Sequence, residues 1–335
     1  MKKSNWILIL TLLFWAIVCV CTYLIGNNSK TTDLQKTKLQ TVKVAQFGDV
    51  FTYVPLYLAD AKGFFEEEGM KVELINTGGD DKTYAAVIGG SAMFGIADPS
   101  FVAIANQRGI KGKVIGAIAN GMPFWGVTKR NDIPEITDAK MLKSYSVATF
   151  TAPSTAYTVQ DAMFKEGGLK SNIKQGAFGG LIAMLDAGKA DIALELEPNV
   201  STAVKSGARV VYSMSDKYPE FALTGITASL KTLEEKPEMV QHFLNAITKA
   251  EQYAYDNPDS TVYYMRKKFP DFDEEIAKDA VLRLLSSNTV PHNAIISQQA
   301  WNRAIELRYQ MGDLKSKDGV SELLDMSFAN KSIKK

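Results

Sequence analysis

The chain has 335 residues, 46% of them apolar and 22% charged, with a net charge of +1. That length exceeds what one compact core holds, so two lobes are expected. The balanced charge, with no basic run, argues against a nucleic-acid partner. Both cysteines, Cys19 and Cys21, fall near the N-terminus, so the rest of the chain has no disulfide, no Cys-based metal site and no thiol nucleophile.

After Met1-Lys2-Lys3, residues 6–25 carry no charge. At about 1.5 Å per residue such a run spans a hydrocarbon core of roughly 30 Å. Lys2 and Lys3 put its start on the cytoplasmic side and the remainder of the chain outside. Val18 and Val20, rather than small residues, precede the two cysteines, so a retained anchor is favoured over lipidation or signal cleavage. Residues 26–41 are polar and read as a flexible tether.

From residue 42 strands and helices alternate, which predicts an α/β protein with helices on both faces of its sheets. Residues 42–46 form a strand, 55–68 a helix closed by Gly69, 71–76 a strand, and 80–88 a helix. Residues 93–97 form the next strand, with Asp98 capping and Pro99 opening the helix after it. Residues 113–120 and 125–129 are strand-like. A second run follows: strand 146–150, helix 154–165, helix 180–187, strand 191–196, a helix opened by Pro198, and strand 208–213. Residues 225–230 read as a strand returning to the first lobe. Beyond Glu234 the pattern is helical, punctuated by Pro237, Pro258, Pro270 and Pro291, and no fixed-period repeat is visible.

The signatures of enzymes are absent: no His-Glu-x-x-His, Gly-x-Ser-x-Gly or phosphate loop, and His242 and His292 lie near no nucleophile. The pattern favours a binding protein with no catalytic residue, metal or cofactor. In open α/β sheets, ligands sit beyond the carboxyl ends of the strands. Read there, the candidate ligand-binding residues are Phe47, Asp49, Tyr53, Asp98, Ser100, Phe124, Trp125, Ser154, Thr155, Tyr157, Glu195 and Glu197. The aromatics suit a flat ring, although core packing uses the same residues. Ser154 and Thr155 offer hydroxyls at a helix start, where capping is the ordinary use of such residues. Glu195 and Glu197, two apart on an extended strand, face one side and suit a ligand with N–H donors such as an aminopyrimidine. No arginine stands at any predicted tip, which argues against a sulfonate or carboxylate held by bidentate contacts.

Short features in fixed order carry a family resemblance: Val54-Pro55-Leu56-Tyr57-Leu58-Ala59, Lys62-Gly63-Phe64-Phe65, Glu68-Gly69-Met70-Lys71-Val72, Phe94-Gly95-Ile96-Ala97-Asp98, and residues 185–191 before Glu197-Pro198. In these the stretch from 42 to about 229 resembles the sulfonate/nitrate/taurine/thiamine-precursor group of ABC-transporter substrate-binding proteins. The resemblance implies a type II periplasmic-binding-protein fold with a hinged cleft. Residues 42–127 and 226–335 would form lobe 1 and 128–225 lobe 2, with crossovers near 126–130 and 221–227. It also implies a monomeric extracytoplasmic protein, tethered by residues 6–25, whose partners are a small-molecule ligand and an ABC permease and ATPase. A thiamine-precursor-like pyrimidine or other aromatic heterocycle is favoured, with an alkanesulfonate, taurine or nitrate as the alternative. A ligand sensor, or a pyrimidine-synthesising enzyme of the same fold, is the rival class. The cysteine-rich signature of that pyridoxal-phosphate-using branch is missing here.

Overall fold

The computed structural model describes residues 39–334. The anchor, the tether up to residue 38 and both cysteines lie outside the described residues. Among the described residues no helix is long and apolar enough to cross a membrane.

Among the described residues ten strands form two five-stranded sheets. The first has the order β2-β1-β3-β10-β4, from β1 (Gln40–Gln46), β2 (Met70–Asn76), β3 (Phe94–Ala97), β4 (Gly112–Asn120) and β10 (Ala222–Ser229). The second has the order β7-β6-β8-β5-β9, from β5 (Trp125–Thr128), β6 (Val147–Phe150), β7 (Ile173–Gly176), β8 (Ile192–Glu195) and β9 (Arg209–Ser213). In each sheet three strands run parallel, because helices connect them. The fourth position in each is an antiparallel strand that has crossed from the other sheet: β10 in the first, β5 in the second.

The two crossings lie side by side. Residues 121–124 carry the chain out of the first sheet and residues 218–221 bring it back, joined by Gly121 N–H to Phe221 C=O at 3.0 Å. Gly121 has φ +68°, and a Cβ there would lie 3.3 Å from the Pro219 carbonyl oxygen, so both conformation and space call for glycine. The crossings come a few residues earlier in the chain than expected, because Trp125 and Ala222 already belong to the sheets they enter.

Most expected elements are present, with instructive differences. The 55–68 helix is two pieces, Val54–Ala61 and Phe64–Glu67, broken where Gly63 takes φ +73°. The helix expected to open at Pro99 begins at Ser100, but Asp98 still accepts its first amide. β7 is a polar edge strand, Ile-Lys-Gln-Gly, with no apolar run to announce it. After β10 the chain packs helices onto the first sheet, opening at Pro237 and Pro258 as expected. Phe243 of Pro237–Asp256 is stacked between Phe65 and Phe94, at 5.1 and 4.3 Å between centroids. This aromatic stack fixes the helices to the sheet that carries the first-lobe tips.

Candidate functional site

The parallel strands of both sheets end facing one cavity of about 80 Å³. From the first sheet come Phe47, Val50, Thr52 and Tyr53 after β1, Asp80 after β2, and Asp98 after β3. From the second come Phe150 at the end of β6, Ser154, Thr155 and Ala156 after it, Phe178 after β7 and Leu196 after β8. The crossings add Phe124, with Leu223 and Thr224 at the start of β10.

Aromatic rings run across the gap. Phe47 meets Phe178 edge-on at 6.1 Å, Phe178 lies 5.5 Å from Phe150, and Phe150 lies 6.4 Å from Phe124. Phe178 remains 48% exposed while its ring contacts Phe47 on one side and Phe150 on the other.

A polar cluster bridges the same gap. Asp98 Oδ1 accepts from the amide and hydroxyl of Ser100, at 2.8 and 2.6 Å. Its Oδ2 accepts from Thr155 Oγ1 at 2.6 Å and from Arg308 Nη2 at 2.7 Å. Arg308 comes from the distant helix Gln298–Gln310, its side chain only 3% exposed, and also donates to Thr158 and the Pro153 carbonyl. A carboxylate of the first lobe is thus tied to the helix start of the second, with one guanidinium satisfying both. Ser154 caps that helix by accepting from Tyr157 N–H at 3.2 Å.

Asp80 opens the helix Asp80–Ile88 and accepts from Asp98 N–H at 3.0 Å. Burial, then the charge of Asp98, push its carboxyl up to about 7. Tyr53, buried beside Thr224, is pushed well above the ordinary phenol range, by burial first and then by Asp80.

Of the residues singled out from sequence, Phe47, Tyr53, Asp98, Phe124, Ser154 and Thr155 meet at this cavity, and Ser100 supports it through Asp98. The others lie elsewhere. Asp49 faces Lys268 at 2.9 Å and the amides of Gln46 and Asn76. Trp125 sits in the core with the Arg283 guanidinium over its ring. Tyr157 is half-buried on its helix and does not line the cavity.

The two glutamates correct an expectation. β8 ends at Glu195, so the alternation that would put Glu195 and Glu197 on one side stops there, and Leu196 between them lines the cavity instead. Glu195 accepts from Leu196 N–H and Asn199, and Glu197 from Ser201 and Arg283. A desolvated carboxylate needs such partners; the helix Asn199–Lys205 and Arg283 supply them to Glu197, while Glu195 is satisfied at Oε2 and its buried Oε1 has no partner among the described residues.

Asp80, Phe150, Phe178 and Arg308 were not singled out. The first three stand at strand tips, where tip position alone was the available signal. Arg308 has no local signal, since it lies more than a hundred residues from every tip it touches.

A family model described as NMT1/THI5 like matches residues 50–261. The chain belongs to the NMT1/THI5-like family. Among curated proteins, "Putative binding protein YtlA" of Bacillus subtilis (strain 168) is 22% identical over 305 residues, 89% of this chain and 91% of that protein. Solved structures share the fold, two of them as follows. The ligand-binding component of an ABC-type import system from Staphylococcus aureus has a TM-score of 0.70 at 13% identity, covering 88% of this chain and 99% of its own. The periplasmic aliphatic sulphonate binding protein SsuA of Escherichia coli has a TM-score of 0.68 at 15% identity, covering 83% and 89%. The NMT1/THI5-like chain therefore has a periplasmic-binding-protein fold, with its cavity where the tips of the two sheets meet.

Proposed function

We propose that this NMT1/THI5-like protein is the extracytoplasmic solute-binding component of an ABC importer. It captures a small flat solute between its two lobes, a thiamine-precursor-like pyrimidine or another aromatic heterocycle, and hands it to a permease and ATPase. The observation that carries this reading is the cavity itself: rings from both sheets converge on it, and the covalent links between the lobes beside it are two adjacent crossings. Aromatic walls with a few fixed polar groups are how proteins hold flat organic molecules. Hinge motion about residues 121–124 and 218–221 would admit the solute and close over it. The names of the structural neighbours, an ABC import component and a sulphonate binder, agree with a transport role. Residues 6–25 would hold the protein at the membrane.

A thermal-shift screen of the purified protein tests this. Aminopyrimidines and thiamine are set against alkanesulfonates, taurine and nitrate. A ligand binding only the folded state adds about 2.7 kcal/mol at a hundredfold excess over Kd. The expected result is a clear rise in Tm with one heterocycle. A rise with sulfonates or nitrate alone would keep the receptor and remove the heterocycle.

A further inference from the structure

One charged group in the cavity is left incompletely partnered. Asp80 lines the cavity, its Oδ1 accepts from Asp98 N–H at 3.0 Å, and its Oδ2 has no hydrogen-bond partner among the described residues. Asp98 differs, because both its oxygens already hold two donors each. Arg308 has nothing left to offer either. Its Nε donates to Ser100, its Nη1 to the Pro153 carbonyl, Thr158 and Asp313, and its Nη2 to Asp98 and Thr155. No lysine, arginine or histidine is among the residues lining the cavity. Asp98 and Arg308 offset one another, so Asp80 sets the charge that a solute meets.

We infer that Asp80 selects the solute by charge: the cavity takes a flat ring bearing a cationic N–H group, such as an amidinium or a protonated aminoheterocycle, and rejects carboxylates and sulfonates of the same size. The inference rests on the aromatic-solute reading above and names its electrostatic class. A cationic N–H meeting Asp80 Oδ2 makes a short, charge-assisted hydrogen bond in a site lined mostly by apolar side chains. An anion in the same place would face Asp80 with every nearby guanidinium donor already committed. The starts of the Asp80–Ile88 and Thr155–Glu166 helices both favour anions, but Asp80 itself occupies the first of these positions. The groups acting on the Asp80 carboxyl are Asp98 and Asp81, which raise it, and Arg308, which lowers it, with Tyr53 close by.

Calorimetric titration of the full chain at pH 8 tests the inference with two pairs of charged rings: benzamidinium against benzoate, and 4-aminopyridinium against nicotinate. The wild type should bind the cation of each pair and not its anionic counterpart. Asp80→Asn keeps an oxygen for Asp98 N–H while replacing the free carboxylate oxygen with a donor. It should lose about ten- to a hundredfold in cation affinity without a lower Tm. Glu73→Gln removes an exposed charge of the same lobe and should change nothing. Anions binding as well as cations, or Asp80→Asn binding cations like the wild type, would overturn the charge selection and leave the receptor standing. Silence from all four rings would overturn it together with the aromatic-solute reading.

Discussion

Buried carboxyls dominate how this protein's stability should respond to pH. Burial pushes Asp80 and Glu195 up to about 7, with neighbouring Asp98 and Glu197 adding to it. Glu251, fully buried with both oxygens lacking a partner among the described residues, is pushed well up by burial. Unfolded carboxyls titrate near about 4. Between about pH 4 and 7 the folded chain therefore binds more protons than the unfolded one, and stability falls as pH rises through that window. Asp191 acts in the opposite sense. Burial raises it, but Ser146 and Arg130 outweigh burial and hold it below the ordinary range, so its contribution is lost as pH falls below about 4. The denaturation midpoint of the solute-free protein should peak near about pH 4 and decline toward pH 8. A midpoint that climbs from pH 5 to 8 would contradict the assignment of these carboxyls. At this scale the sequence was partly readable. Tip position picked out Phe47, Tyr53, Asp98 and Thr155, but the glutamates misled, because a strand that stops at Glu195 cannot be told by pattern from one that runs on to Glu197.

At the scale of elements, the helix Gln298–Gln310 does more than cover the first sheet. Through Arg308 it ties Asp98, at the end of β3, to Thr155 and Thr158, on the helix after β6. Arg308→Met would leave a buried carboxylate without its cation and should cost about 3–5 kcal/mol, toward the lower end because Ser100 and Thr155 still donate to Asp98. Adding Asp98→Asn should recover part of that loss, measured as the denaturant midpoint in a double-mutant cycle. Additive losses from the two substitutions would show that the pair is not coupled. Nothing local in the sequence announces this tie, because it depends on the C-terminal helices folding back. Every strand but β7 was legible from its apolar run, and most helix starts were too, since Pro237, Pro258 and Ser154 mark them by rules that act within a few residues. The break at Gly63 was missed because glycine at helical spacing looks the same whether it continues or ends a helix.

For the whole molecule, the informative feature is the repeated strand order. Both sheets place three parallel strands beside one antiparallel strand borrowed from the other half, then a fifth. No sequence repeat accompanies it, so the likeness lies in topology and was visible beforehand only as two successive α/β runs. The exchange of β5 and β10 confines the covalent links between the sheets to two neighbouring crossings, which suits a protein that opens and shuts. The rings and carboxylates of the cavity lie at the tips these crossings bring together. The most direct measurement is native mass spectrometry of the full chain purified gently from its own cells, followed by denaturation and identification of whatever small molecule is released. The account predicts one equivalent of a flat, nitrogen-bearing aromatic cation. Release of a stoichiometric aliphatic sulfonate or other anion would contradict it.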